Sequence, residues 1–390
     1  MNNFVIKGVR YEWLQSAIDG YVKTKQPLIA NYNGTLGVAG PSDDIGIYYF
    51  IPKIVSWFGL SLDQSLNVFY GGITVLSLLS GLIGFFFLYR KQYLRLTVSF
   101  IFLAWFMFFA LRRLTEAYII PPALVIAFVP WIMYSLRSSV KFSIILYSIV
   151  SFVASISHSI RTHAATGLLI FMITLIILEK NLSKKIKLVM LVFIVISFMI
   201  PFIYSQNLID ARDNLMKVKY PDYTKILARH PFWTHAYMGL SFVENPIVGP
   251  SFNDRVAIDK VMEINPHLPG ADKPLAYLGG SYVGGYQEAS DILKQEFFKV
   301  VSKHPAILFE NFGTKLAILY IYFIISANIG VFFAIIYKKP LQIEVALWSG
   351  MLFNAIPGLM VVPAFHYNAA FIAFSVLYGL FSVNQGCSSR

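Results

Sequence analysis

The chain has little charge and almost no cysteine. Only 13% of its 390 residues are Asp, Glu, Lys or Arg, against 57% that are hydrophobic. An ordinary soluble domain carries about 25% charged residues, so a soluble globule, a coiled coil and a disordered chain are all excluded. The single cysteine, Cys387, excludes an internal disulfide and any thiolate metal cage.

Several functional signatures are also missing. The sequence contains no nucleotide-binding glycine motif, no P-loop and no serine-triad signature. Its first fifteen residues hold no apolar core of the kind that makes a cleavable signal peptide. The net charge of +12 is therefore interpreted relative to a membrane, and nucleic acid is not an expected partner.

Long apolar blocks are abundant, with the spacing of membrane-spanning helices. Backbone in lipid must satisfy its own hydrogen bonds, so we expect helices and an all-α polytopic membrane protein of nine or ten spans. The tenth would be a helix ahead of the given start. The nine predicted spans are 66–89, 96–111, 118–136, 142–158, 165–179, 187–205, 313–337, 342–362 and 366–384. Of these, 96–111 and 165–179 are short for a span.

The polar stretches between the spans divide the chain into four parts. These are a first outer loop (1–65), a six-helix transmembrane part (66–205), a soluble outer loop domain (206–306) and a three-helix transmembrane part (307–390).

Positive charge separates the two sides of the predicted membrane. Lys and Arg concentrate in one set of alternating loops, whereas the 206–306 stretch balances eleven acids with eleven Lys or Arg. By the positive-inside rule, the first set is cytoplasmic and the large loop is outside. The Lys-, Ile-, Phe- and Asn-rich composition favours a bacterial cytoplasmic (inner) membrane.

Two short loops on the predicted outer side nevertheless carry cations. One holds Arg112 and Arg113, and the other holds His158, Arg161 and His163. Snorkelling to lipid headgroups is one explanation. The other is an anionic partner, for which the phosphate of a lipid-linked substrate is the obvious candidate, because guanidinium groups bind phosphate bidentately.

Adjacent carboxylates, Asp43 and Asp44, precede a segment with apolar residues at helical spacing from Ile47 to Phe58. This pattern predicts an amphipathic helix along the outer membrane surface. Asp43 is suited to cap that helix. The pair is also suited to deprotonate a hydroxyl or to bind a divalent ion such as Mg²⁺ or Mn²⁺.

The large loop contains His230-Pro-Phe-Trp233-Thr-His235-Ala-Tyr237. Two histidines five residues apart are a weak metal signal, because no third ligand completes the spacing. Trp233 and Tyr237 lie at helical spacing, which suits either stacking on a sugar or packing of the loop against the membrane.

Taken together, the chain resembles the GT-C superfamily of integral-membrane glycosyltransferases. The resemblance rests on Asp43-Asp44-Ile-Gly-Ile-Tyr-Tyr-Phe-Ile-Pro in the first outer loop and on the layout of spans around a large outer loop. The His-Pro-Phe-Trp stretch, with the Tyr-Met-Gly-Leu and Glu-Asn-Pro segments after it, is similar to one found in bacterial members of uncharacterised specificity.

The resemblance implies inverting transfer of a sugar from a polyprenyl-phosphate donor to a glycan, lipid or protein acceptor at the outer face of the membrane. We expect Asp43 to be the base, with Asp44 as its partner, and no obligatory cofactor. The phosphate-binding candidates are Arg161, His163, Arg112, Arg113 and His230, and the substrate-binding candidates are Trp233, His235 and Tyr237. An O-antigen-type polymerase or ligase is the nearest alternative, followed by a transporter of lipid-linked sugars.

Overall fold

The computed structural model describes residues 9–39, 45–221, 223, 232–268 and 285–387. Within these ranges eight helices are long and apolar enough to cross a membrane. The described chain is almost entirely helical, with a single two-stranded hairpin. The expected all-α, multi-pass architecture is therefore confirmed at that level.

Fifteen α-helices and two β-strands follow one another along the chain. The elements are α1 (Val9–Thr24), β1 (Ile29–Tyr32), β2 (Thr35–Val38), α2 (Ile45–Phe58), α3 (Leu62–Leu88), α4 (Tyr93–Phe109), α5 (Ile120–Ser135), α6 (Val140–Ile160), α7 (Thr166–Leu178), α8 (Lys184–Lys219), α9 (Phe232–Gly239), α10 (Asp254–Ile264), α11 (Gly285–Lys303), α12 (Pro305–Ala327), α13 (Gly330–Ile336), α14 (Leu341–Met360) and α15 (Ala369–Gly386). Short 3-10 turns at Leu111–Arg113 and Glu116–Ile119 link α4 to α5.

Serine side chains fix where three of the long helices begin. Ser61, Ser139 and Ser183 each accept a hydrogen bond from a backbone N–H in the first turn of α3, α6 and α8, which satisfies a donor that the helix itself leaves open. At Ser61 the side-chain oxygen of Gln64 also accepts a hydrogen bond from the Ser61 backbone N–H, which completes a capping box.

Three predicted spans differ from the helices found. The 165–179 block forms α7, whose 13 residues extend only about 20 Å, short of the roughly 30 Å of a bilayer core. The 313–337 block is two helices, α12 and α13, separated at Asn328, where φ is +53°. The 187–205 block lies within α8, which continues as a polar helix to residue 219.

Side-chain contacts group the helix ends into two sets. We call residues 110–119, 161–165 and 361–368 the site end; there Arg161 and His366 both contact Tyr118. We call residues 89–92, 136–139, 179–183 and 337–340 the far end. At the far end Glu179, the residue that closes α7, accepts a hydrogen bond from Gln342 at the start of α14. Although α7 is short, it therefore runs from one end of the bundle to the other.

The first segment of the chain folds onto the site end. The turn between β1 and β2 is Asn33-Gly34, and both residues have positive φ, as a two-residue hairpin turn requires. The hydroxyl of Tyr220, just after α8, donates to the Leu36 carbonyl of β2. The first half of α2 is buried against the bundle, whereas Trp57 and Phe58 at its end are exposed.

The helices α9, α10 and α11 share a small hydrophobic core of their own, which we call the α9–α11 cluster. Two buried side chains of α12 hold it to the bundle. The Asn311 amide donates to the Leu240 carbonyl at 2.9 Å and its oxygen accepts from the Val243 N–H at 2.9 Å. The Lys315 ammonium, 2% exposed, donates to the Gly239 carbonyl at 2.8 Å.

We expect Asn311→Leu to loosen this attachment. The substitution leaves the half-buried Val243 N–H without its acceptor, which costs about 1 kcal/mol. Faster limited proteolysis within 232–303 and a lower melting temperature in detergent should both follow. The matched control is Thr314→Ala, on the exposed side of the same helix; equal behaviour of the two variants would contradict this account of the attachment.

Candidate functional site

Four polar or aromatic side chains meet at the site end. The Arg161 guanidinium lies 4.6 Å from the centroid of the Tyr118 ring. The His366 ring approaches Tyr118 edge-on, with centroids 4.5 Å apart, and it lies 4.4 Å from the ring of Tyr367. We call Tyr118, Arg161, His366 and Tyr367 the site cluster. A cation, an imidazole and two phenols in one place form a surface suited to an anionic or hydroxylated ligand.

Each member of the cluster is held by a different element. Arg161 is the residue that closes α6, and its backbone N–H donates to the Ser157 carbonyl. Tyr118 lies in the 3-10 turn that begins at Glu116, whose carboxylate pairs with Arg10 of α1. The cluster therefore depends on the end of α6 and on the 3-10 turn that the Arg10–Glu116 pair ties to α1.

The loop from 361 to 368 supplies the remaining two members. It is fixed by Asn368, a fully buried residue at the start of α15. The Asn368 side chain donates to the Ala364 carbonyl at 2.8 Å, and its backbone N–H reaches the Ala364 and Phe365 carbonyls. The two residues between this anchor and Phe365 are His366 and Tyr367, so their positions follow from the turn.

The predicted acidic pair, Asp43 and Asp44, lies outside the described residues. The described chain resumes at Ile45, and Gly46 lies against the end of α6. A Cβ at Gly46 would approach the Cα and backbone nitrogen of Ile160 to 2.9 Å. Since Ile160 immediately precedes Arg161, the first described residues after the acidic pair lie beside the site cluster.

Three of the predicted phosphate-binding residues lie near this cluster. Arg113 is exposed, and its guanidinium lies 5.3 Å from the Phe109 ring and 6.0 Å from the Phe365 ring. Arg112 is exposed and lies over Phe108. The backbone N–H of His163, a residue with φ +66°, donates to His158 Nδ1 at 3.3 Å. Arg161 thus has Arg113 and His163 on the same end of the bundle.

The predicted residues of the large loop belong to a different environment. Trp233 packs on Phe297 and Phe298 of α11, with the Lys294 ammonium 5.6 Å from its ring. Tyr237 is completely buried in the core of the α9–α11 cluster. Burial, together with nearby acidic side chains, raises the pKa of Tyr237 to about 12.

Tyr237 and Trp233 therefore pack within the cluster itself, an arrangement that neither interpretation of their spacing described. His235 is half-buried in the same helix. His230 lies outside the described residues. That Trp233, His235 and Tyr237 contact a substrate stays a prediction.

A metal site is not formed by the part of the chain that the structure describes, in which no three His, Cys, Asp or Glu side chains lie close enough to share an ion. Asp43 and Asp44 fall outside that part. The prediction that the pair binds Mg²⁺ or Mn²⁺ therefore remains open to experiment.

The electrostatics of the site cluster keep its imidazole neutral. Burial, and secondly the positive charge of Arg161, lower the pKa of His366 below 6.5. At neutral pH the cluster thus presents one fixed cation, Arg161, beside an uncharged imidazole.

His366, Tyr118 and Tyr367 were not among the predicted site residues. The blocks 118–136 and 366–384 were each assigned as spans, so Tyr118 and His366 became the first residues of apolar helices. One feature of the sequence could have identified them. Successive loops lie on alternating sides of the membrane, which places the loop after α14 on the same side as Arg112 and Arg161.

Comparison with known proteins yields no relative. No family model, no curated protein and no solved structure matches the chain significantly.

We expect Gly46→Ala to disturb the approach of α2 to the site cluster. The added methyl group would lie 2.8 to 2.9 Å from Ile160, so the helices must separate, at a cost of about 1 to 3 kcal/mol. Thermal unfolding in detergent measures the loss. Gly72→Ala in α3 is the control, because a Cβ there meets no atom within 4 Å; it should be neutral or stabilising.

Proposed function

We propose that the protein is an inverting glycosyltransferase that moves a sugar from a polyprenyl-phosphate donor to a glycan, lipid or protein acceptor. The observation that carries the proposal is the site cluster beside the start of α2. Arg161 lies at a helix end together with Arg113 and His163, and the two aspartates immediately precede the helix that packs on Ile160. The reaction needs these two kinds of group close together.

The cation suits the leaving group. As the bond between the sugar and the phosphate breaks, its electron pair moves to a phosphate oxygen, which gains negative charge. A fixed guanidinium aimed at that oxygen stabilises the transition state more than the ground state. Arg161 is held by the end of α6 and the face of Tyr118, so little reorganisation is needed when the charge develops.

The acidic pair suits the acceptor. In an inverting displacement the acceptor oxygen attacks from the side opposite the phosphate and gives up its proton to a base. We assign that role to Asp43, with Asp44 as its orienting partner. The proposal requires no nucleotide, because the glycosyl phosphate bond supplies the energy of transfer.

The membrane location supports the choice of a lipid-linked donor. The site end is formed by the ends of apolar helices, and beside it Phe108 of α4 is exposed next to Arg112. Lys and Arg concentrate at the far end, including Arg90, Lys91 and Lys338. By the positive-inside rule we assign the far end to the cytoplasm of a bacterial cell and the site end to the outside.

Replacing Asp43 with Asn should reduce transfer at least about a hundredfold, the usual contribution of a general base. The measurement is incorporation of radiolabelled sugar from a panel of polyprenyl-phosphate donors into cell-envelope fractions. The same assay with EDTA, followed by Mg²⁺ or Mn²⁺, tests whether the pair acts through a divalent ion.

The control for this experiment is Asp63→Asn, because Asp63 binds the Tyr11 hydroxyl of α1 and plays no part in the proposed reaction. Transfer retained by Asp43→Asn would remove the base assignment and favour the polymerase or ligase reading. Transfer by neither wild type nor variant, with both folded, would contradict the proposed function.

Arg161→Ala should lower kcat/KM for the lipid donor about 10- to 100-fold, since a hydrogen bond to a charged group contributes about 1.5 to 3 kcal/mol. Arg161→Lys should recover only part of the loss, because an ammonium cannot bind phosphate bidentately. Steady-state kinetics with varied donor would show the effect. Arg90→Ala, exposed at the far end, is the matched control, and an equal loss there would argue against a specific role for Arg161.

A further inference from the structure

The loop residue His366 has a combination of properties that packing alone does not require. It is half-buried in the site cluster, in contact with two phenol rings. Within the described part of the chain, neither imidazole nitrogen has a hydrogen-bond partner. Both nitrogens are therefore available to a ligand that reaches the cluster.

We propose that His366 is a ligand of the donor phosphate that takes up a proton when the phosphate binds between it and Arg161. This inference rests on the proposed function. It identifies the group at the same site whose protonation changes when the phosphate binds. The ligand chemistry is a phosphate monoester or diester carried by a lipid.

The geometry brings the two ligands together through one ring. Arg161 covers a face of Tyr118 at 4.6 Å, and the His366 ring is in T-shaped contact with the same ring, with centroids 4.5 Å apart. A phosphate beside Tyr118 is then within reach of a guanidinium and an imidazole that come from different elements, α6 and the 361–368 loop. Two donors on independent supports suit a tetrahedral oxyanion, which offers acceptors in several directions.

The charges around His366 determine its protonation before and after binding. From α6 it faces Arg161, and from the neighbouring turn and its own loop it faces Tyr118 and Tyr367. The nearest acid in the adjoining turn is Glu116, which is already paired with Arg10. Among the residues that the structure describes, the cation and the partial burial favour the neutral imidazole when no ligand is bound.

Two further groups pack against the same loop. Arg113 of the 3-10 turn lies over Phe365, and the Tyr322 hydroxyl of α12 donates to the Pro363 carbonyl. Neither adds an anion near the imidazole. A bound phosphate would bring negative charge into this surrounding and offset that of Arg161, so it would raise the pKa of His366.

The thermodynamic consequence has a definite sign. A group whose pKa is higher in the complex than in the free protein binds a proton as the ligand binds. The affinity for phosphate should therefore increase as the pH falls from 8 towards 6. Each unit by which the phosphate raises the pKa corresponds to a tenfold change in affinity.

The experiment is isothermal titration of farnesyl phosphate into the full-length protein in nanodiscs, in two buffers of different ionisation enthalpy. The difference in heat gives the protons taken up per ligand. We expect uptake of a fraction of a proton at pH 7 by the wild type, beyond that seen with His366→Gln. The variant should bind farnesyl phosphate about tenfold more weakly than the wild type at pH 6. At pH 8 the difference in affinity between the two should be smaller.

Three comparisons make the result specific. His267→Gln changes an exposed histidine of the α9–α11 cluster and should leave proton uptake unchanged. The phosphate's own titration is common to the wild type and His366→Gln, so their difference isolates the imidazole. If His366→Gln does not fold, His366→Asn serves instead, because it also removes the titrating imidazole and should abolish the same part of the proton uptake.

Further titrations distinguish the possible sources of the phosphate. They also distinguish a failure of this inference from a failure of the proposed function. Inorganic phosphate and dioleoyl phosphatidic acid test whether a free ion or a membrane headgroup is taken as well as a prenyl phosphate. Binding of farnesyl phosphate with equal uptake by the wild type and His366→Gln would overturn this inference and leave the proposed function intact. Farnesyl phosphate that binds no better than farnesol would overturn both.

Discussion

The close approach of α2 to the end of α6 is the constraint on which the candidate site depends. Gly46 allows it, because any larger residue would meet the backbone of Ile160. This one contact joins the segment that follows the acidic pair to the residue that precedes Arg161. Without it, α2 and the Arg161 guanidinium would belong to separate parts of the molecule.

The polar side chains at the two ends of the bundle differ in their hydrogen bonding. At the far end Lys339 is buried, yet its ammonium donates to the Ser382 hydroxyl and pairs with Glu344. Glu344 in turn accepts from Trp348 and Tyr378. Such a network holds α14 and α15 together. At the site end, by contrast, neither imidazole nitrogen of His366 has a hydrogen-bond partner within the described chain.

Hydrophobicity predicted the helices well because apolar length is what a bilayer selects. It predicted their ends poorly, since a helix continues wherever its backbone remains favourable; α8 runs fourteen residues beyond the predicted limit of 205. The hairpin had a readable signal in Asn33-Gly34. The site was half predictable: Arg161 stands out as a cation on the disfavoured side, whereas His366 is one polar residue at the edge of an apolar block. Its place in the site cluster comes from its contact with Tyr118, about 250 residues away in sequence, and no local sequence pattern encodes that contact.

The length of α8 has a further consequence. Its 36 residues measure about 54 Å, against roughly 30 Å for the hydrocarbon core of a bilayer. The helix therefore begins at the far end and extends beyond the site end. The hairpin is attached near its tip through Tyr220 and Leu36, and α2 touches it lower down, where the Tyr49 and Tyr204 hydroxyls lie 2.8 Å apart. The position of the first segment along α8 is thus set by the number of helical turns between these two contacts.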